Sequence, residues 1–374
     1  MIKAALMTPN FSLGGAERWV VQMLAHVKVE WTGLVISGHC GADPTLCARA
    51  AKYTRLYSHR VPESQRRPGV HPFNPVGISH WHQDLWHAIE RAAEGADVLV
   101  TWGITQGAGW FKDIRPTLPR VCVAHGTLQE TPLRPLTGFT HLVAVSERAL
   151  GYFAGREGAA DLPREVIYNG VDPEHLTCTQ PAVMQRAEWG CAPCHITVGV
   201  IGRQAQEKNH MAVARAMSHL PSSFVAVYYG RDRANYDEFA ADLVAAKEQL
   251  GGRLQLRMPV APIGTVLQAL DVVVVASHRE GCSLAMIEAW MAGVPVVATP
   301  VGSVPELQAK YGPLVIDVPL DPSPEVLAAA IMRAAGDEGH NLAARAKAVA
   351  LEHFSIRTMA ERWTEYLERV ACSY

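Results

Sequence analysis

Short runs of β-branched and apolar residues alternate with segments of helical period along the whole chain, and the alternation starts twice. In the first round IKAALM precedes a helix candidate from Ala16 to Val27, and TGLVIS, DVLVTW, RVCVAH and THLVAV follow. The second round runs HITVGVIG, SFVAVYYG, LQLRM, DVVVVAS, VPVVAT and PLVID, each ahead of a turn or a helical stretch. Near-continuous apolar runs separated by helices mark parallel strands buried between helical layers. The reading is α/β, with two parallel-sheet domains. The length of 374 residues agrees, because one domain typically holds about 100 to 200. Between the rounds, from Asn169 to Pro193, the sequence is mixed and rich in Gly, Pro and Cys, which suits a hinge and a short helix around PAVMQRAEW. The domains are therefore expected at 1–180 and 181–354, with a last helix at about 355–374.

Charge narrows the partners. With 34 basic against 36 acidic residues, no global field recruits nucleic acid. One local exception, Arg55, Arg60, Arg66 and Arg67 against Glu63, reads either as a solvated loop or as weak peripheral contact with an anionic membrane or acceptor. No apolar run reaches the roughly 18 residues that span a bilayer, and MIKAALMTPN is too soon interrupted for a signal peptide. The cytoplasm is the expected compartment, and the 8 irregularly spaced cysteines suit reduced thiols. Cys191, Cys194 and His195 match the covalent haem pattern, but attachment would require export, and no second Cys pair completes a zinc site. Coincidence just ahead of a strand is the favoured reading.

Four segments carry chemistry. SLGGAERWVV puts Gly14 and Gly15 between a strand and a helix, where backbone amides can receive an anion or simply turn the chain. VGVIGRQAQEKN places Gly202, Arg203 and Lys208 after a strand, either as surface cations or as ligands at the carboxyl edge, where open α/β sheets bind. In SHREGCSLAMIEAW, Glu280 closes a loop and Ser283 is placed to cap a helix, leaving its first amides as an anion site. Glu288 falls beside Leu284, Ile287 and Met291, where an uncompensated carboxylate is expensive; a ribose diol or protein groups would satisfy it. RVCVAHGT ends a first-round strand on His125, a candidate donor to a sugar hydroxyl or an ordinary core histidine. Phe354, Met359, Trp363, Tyr366 and Val370 recur at helical spacing, which predicts an amphipathic last helix docked on its apolar stripe.

In this order GGAER, VAHG, AVSE, IYNGVD, GRQAQEK, EGCSLAMIEA and AGVPVVAT resemble the retaining glycosyltransferases of family 4, which have the GT-B architecture. The resemblance covers both rounds and is most specific from Glu280 to Thr299. It implies two facing Rossmann-like domains across a cleft, with a nucleotide-sugar donor on the second, an unidentified acceptor (glycan, lipid or small molecule) on the first, and the last helix returning to the first. It also implies retention, no bound metal and no cofactor beyond the nucleotide sugar. Arg203 and Lys208 match the pair on the donor diphosphate, Glu280 the carboxylate that reaches sugar hydroxyls, and Glu288 the ribose carboxylate. The amides of Gly281, Cys282, Ser283 and Leu284 would reach the sugar and distal phosphate, Gly15 and His125 match positions closing over the donor, and Gly14 and Gly202 are expected among the substrate-binding residues. Cys282 and Ser283 replace a common Phe-Gly pair, Met258 stands where Gly is usual beside the base, and Asn209 replaces Gly after the lysine. A nucleotide-sugar epimerase, or a nucleotide-sugar binder without transfer activity, is the alternative.

Overall fold

The computed structural model describes residues 1–8, 11, 15–36, 43–58, 80–102, 113, 115–126, 135–230, 237–258 and 262–374. The chain divides into two compact units, Met1–Asn169 with Arg357–Tyr374, and Gly170–Ile356.

The first unit contains β1 (Lys3–Thr8), α1 (Gly15–His26), β2 (Glu30–Ile36), α2 (Pro44–Ala50), β3 (Leu56–Ser58), α3 (His80–Ala92), β4 (Val98–Trp102), β5 (Arg120–Ala124), β6 (His141–Ala144), α4 (Glu147–Ala154) and β7 (Arg164–Val166). Its sheet has the order β3-β2-β1-β4-β5-β6-β7, and the paired strands are parallel. On one face Met7, Val35, Leu99 and Cys122 pack with Leu85 and Ile89 of α3 and Phe153 of α4.

The second unit contains α5 (Ala182–Glu188), β8 (Ile196–Ile201), α6 (His210–Ala216), β9 (Phe224–Tyr229), α7 (Asp237–Leu250), β10 (Leu254–Arg257), α8 (Ile263–Leu267), β11 (Val272–Val275), α9 (Leu284–Ala292), β12 (Val296–Ala298), α10 (Val304–Tyr311), β13 (Ile316–Asp317), α11 (Pro324–Ala334) and α12 (Asp337–His353). Its sheet is β10-β9-β8-β11-β12-β13, again parallel. Val198, Ala226, Val272 and Val274 pack in one cluster with Val213 of α6 and Leu327 and Ile331 of α11. The all-apolar β11, VVVV, is buried throughout, as both faces of a parallel sheet require.

A last helix, α13 (Ile356–Cys372), belongs to the first unit. Met359, Trp363, Tyr366 and Val370 are buried, so the apolar stripe is a packing face; Phe354, expected on the same helix, is buried instead at the C-cap of α12, before α13 begins. Lys28 N–H donates to Thr364 Oγ1 at 3.0 Å, and Arg362 Nη2 donates to the carbonyl of Val166 at 2.7 Å. Arg369 Nη2 reaches Glu165 Oε2 at 2.5 Å.

Of the basic stretch, Arg55 is exposed ahead of β3, while Arg60, Arg66 and Arg67 lie outside the described residues. Within CAPCH, Cys191 is buried, Cys194 is exposed, and His195 Nδ1 accepts the backbone N–H of Ala192 at 3.0 Å. The motif is thus a tight turn leading into β8, closed by its own imidazole. Among the described residues no helix is long and apolar enough to cross a membrane, and no group of three or more His, Cys, Asp or Glu side chains is placed to hold a metal ion.

Candidate functional site

The second sheet reverses its order at the neighbouring strands β8 and β11, where Val198 pairs with Val272 and Gly199 with Val273. A reversal opens a crevice beyond the carboxyl ends, because the connections on its two sides leave in opposite directions. The segments Gly202–Lys208 and Ala276–Ser283 both emerge there.

These segments meet through side chains far apart in sequence. Lys208 Nζ donates to Glu280 Oε1 at 2.6 Å, and Ser277 Oγ donates to the same oxygen at 2.9 Å. Lys208 and Glu280 keep only 24% and 13% of their side-chain surface, so this ion pair is partly withdrawn from water. Arg203 takes a different carboxylate, donating from Nη2 to Glu207 Oε1 at 3.1 Å. The backbone joins the two segments as well, since His278 N–H donates to the carbonyl of Glu207 at 2.9 Å. From β12's end Thr299 Oγ1 donates to the carbonyl of Ser277 at 2.6 Å. A small cavity of about 10 Å³ is lined by Lys208, Ser277, Glu280 and Ser283 with Val200 and Val274.

Backbone conformation explains several residue choices. Asn209 sits at φ 51° and ψ 43°, the left-handed region, between the 3-10 turn Gln206–Lys208 and α6. Asn is among the few residues other than Gly that visit this region routinely. The replacement of Gly by Asn therefore leaves the turn after Lys208 intact. Gly302 has φ +55°, and a Cβ there would lie 2.4 Å from the carbonyl oxygen of Gly281 and 3.0 Å from Glu280 Cβ. Ser283 caps α9, its Oγ accepting from Met286 N–H at 3.4 Å, as the sequence predicts.

Helix α9 is buried on nearly every side, with Glu288 its single charged residue and only 3% exposed. Gly281, Cys282, Ser283 and Leu284 are buried too, whereas Met258, just past β10, is 53% exposed. Behind Lys208, His210 is fully buried; burial first, and the Lys208 charge second, push its pKa down to about 4.

The first unit has its own reversal, at β1 and β4. Gly15 is the first residue of α1 and is exposed, while Gly14 lies outside the described residues. His125 follows β5 with its ring against two indoles, Trp19 at 4.5 Å and Trp102 at 5.4 Å between centroids, both edge-on. Burial pushes its pKa down to about 3, and among the described residues its Nε2 has no hydrogen-bond partner. At neutral pH this imidazole is an uncharged donor or acceptor, not a cation.

Of the residues singled out from sequence, Lys208 and Glu280 are in direct contact and Arg203 is one backbone link away through Glu207. Sequence reasoning missed Glu207, Ser277, Thr299, Trp19 and Trp102. Ser277 carried a faint signal, a small polar residue immediately after an unbroken apolar strand.

Residues 195–337 match the family Glycosyl transferases group 1. The chain is 29% identical over 258 residues to a D-inositol 3-phosphate glycosyltransferase of Segniliparus rotundus, covering 62% of this chain and 54% of that protein. It is 29% identical over 171 residues to the lipopolysaccharide core biosynthesis mannosyltransferase LpsB of Rhizobium meliloti, covering 44% of this chain and 47% of that protein. The chain thus spans about half the length of these curated relatives. The crystal structure of Anabaena Alr3699/HepE in complex with UDP-glucose superposes with a TM-score of 0.78 at 21% identity, covering 99% of this chain and 100% of that one. That similarity establishes the fold, two parallel α/β sheets of the GT-B class.

Proposed function

We propose, from the match of residues 195–337 to the glycosyl transferases group 1, that the chain belongs to that family and is a retaining, family 4 glycosyltransferase acting without a bound metal. The observation that carries the reading is the convergence of Lys208, Glu280 and Ser277 where β8 and β11 reverse the sheet order. In this reading the second unit holds a nucleotide sugar and the first an acceptor. A uridine diphosphate sugar is the first donor to try, because the HepE structure contains UDP-glucose.

In transfer, the bond between the anomeric carbon and the diphosphate breaks, and the departing oxygen keeps the electron pair. The acceptor oxygen forms its new bond on the same face and passes its proton to the departing phosphate. Negative charge grows on the diphosphate, and cations brought onto it when the donor binds stabilise it with no further reorganisation during transfer. Lys208 and Arg203 are each held by a carboxylate, so on donor binding each cation exchanges one anionic partner for another. Glu280 accepts from a sugar hydroxyl and Glu288 from the ribose. Met258, exposed beyond β10, offers an apolar surface to the base. His125, neutral at its depressed pKa, donates to an uncharged hydroxyl. The cytoplasm, where nucleotide sugars are supplied, is the proposed compartment.

The test pairs a thermal-shift screen of UDP-glucose, GDP-mannose and ADP-glucose with an assay for released nucleotide. A ligand at 100 times its dissociation constant stabilises by about 2.7 kcal/mol. No shift with any donor overturns the reading, and release of nucleotide with an epimerised sugar and no acceptor indicates an epimerase. Turnover is expected to survive chelation.

A further inference from the structure

Glu280 is engaged on one oxygen only. Lys208 Nζ and Ser277 Oγ both donate to Oε1, and among the described residues Oε2 has no hydrogen-bond partner. The two donors differ in kind. Lys208 carries its ammonium on a flexible four-carbon stem and can turn its donors elsewhere. Ser277 cannot follow: it is 2% exposed two residues beyond β11, with its carbonyl held by the hydroxyl of Thr299. Gly302, left-handed and closely packed on Gly281 and Glu280, limits movement of the backbone beneath the carboxylate.

We infer that Ser277 is a positioning residue for Glu280: it keeps Oε1 occupied when Lys208 leaves for the donor diphosphate, so that Oε2 is the one oxygen offered to the donor sugar. The inference rests on the proposed nucleotide-sugar transfer. Two consequences follow from the chemistry. The carboxylate makes a single-oxygen contact with one sugar hydroxyl instead of chelating a diol. It also keeps its place as its cationic partner departs, since a charged acceptor gains more from a hydroxyl donor than a neutral one does. The diphosphate, which is met by Lys208 and Arg203, does not depend on Ser277.

The experiment compares the parent with Ser277→Ala, Ser277→Cys, Glu280→Gln and the Ser277→Ala/Glu280→Gln double variant, all full length. Calorimetry measures each protein against UDP and UDP-glucose, GDP and GDP-mannose, and ADP and ADP-glucose, and the pair bound by the parent is carried into steady-state assays. Ser277→Ala is expected to bind the free diphosphate within about twofold of the parent. Its affinity for the nucleotide sugar, and kcat/KM for that donor, should fall about tenfold, in line with a hydrogen bond to a charged group. Ser277→Cys, nearly isosteric with a weak donor, should fall in the same direction and serves if the alanine variant fails to fold. In the Glu280→Gln background the loss of Ser277 should add little, because the carboxylate it positions is gone.

Equal loss of affinity for diphosphate and nucleotide sugar would show a merely structural serine and overturn the inference. So would unchanged donor kinetics, or full additivity in the double variant. If the parent binds none of the nucleotide sugars, the transfer reading itself fails and this inference falls with it, an outcome distinct from the others.

Discussion

At the scale of single residues, the partly buried ion pair between Lys208 and Glu280 is where the proposed chemistry is most directly tested. Lys208→Ala is expected to lower turnover about a hundred- to a thousand-fold, the usual loss for a preorganised donor, with a much smaller change in melting temperature. Turnover and melting measured on one preparation decide this. Glu288→Gln keeps the shape of a buried side chain but not its charge, so nucleoside diphosphate affinity should fall even without the sugar. Titration calorimetry with UDP, GDP and ADP checks it. His210 gives a pH signature. Its folded pKa of about 4 lies below the ordinary 6.5, so the unfolded chain binds the extra proton first. The stabilisation is complete above about pH 6.5 and is lost as pH falls toward 4. Melting temperature against pH should fall less steeply over that window in a His210→Gln variant than in the parent.

At the scale of elements, caps and left-handed turns decide how loops deliver these residues. Removing a Ser cap typically costs about 1 kcal/mol, so Ser283→Ala should lower stability by that order. Gly302→Ala faces both a positive φ and a backbone oxygen at 2.4 Å, and it should displace the Glu280 loop as well as destabilise the fold. Circular dichroism melts together with donor affinity distinguish the two effects. The cap and the apolar periods were legible because they depend on neighbours in sequence. The left-handed Asn209 was not, because Asn is equally at home in ordinary turns.

At the scale of the whole molecule, both units repeat one strand order around a reversal point, and the last helix completes the first unit. Trp363 is fully buried and meets Trp19 of α1 edge-on at 5.6 Å between centroids. Trp363→Ala should cost about 3 to 5 kcal/mol, and hydrogen exchange should rise in the first unit while β8 and β11 stay protected. The basic stretch is tested separately. If Arg55, Arg60, Arg66 and Arg67 meet an anionic surface, the parent should sediment with anionic vesicles at low salt and an Arg60, Arg66 and Arg67 triple Ala variant should not. Equal behaviour returns the segment to a solvated loop.

The sequence by itself determined the α/β class, the two rounds of parallel strands, the Ser283 cap, the buried face of the last helix and the motifs on which the proposed diphosphate site rests. Each depends on period, on local backbone chemistry or on the motifs Gly202–Lys208 and Glu280–Glu288, all readable along one strand of text. Only tertiary structure decided which charges pair. Lys208 finds Glu280 because β8 and β11 lie side by side at the reversal, bringing together segments that are separated by β9, β10 and their helices, whereas Arg203 meets Glu207 four residues along its own segment. The indoles that hold His125 neutral come from α1 and β4, elements that sequence distance keeps apart and packing joins. Ser277 takes its role in the same way: a hydroxyl has no preferred partner until the fold sets a carboxylate 2.9 Å away.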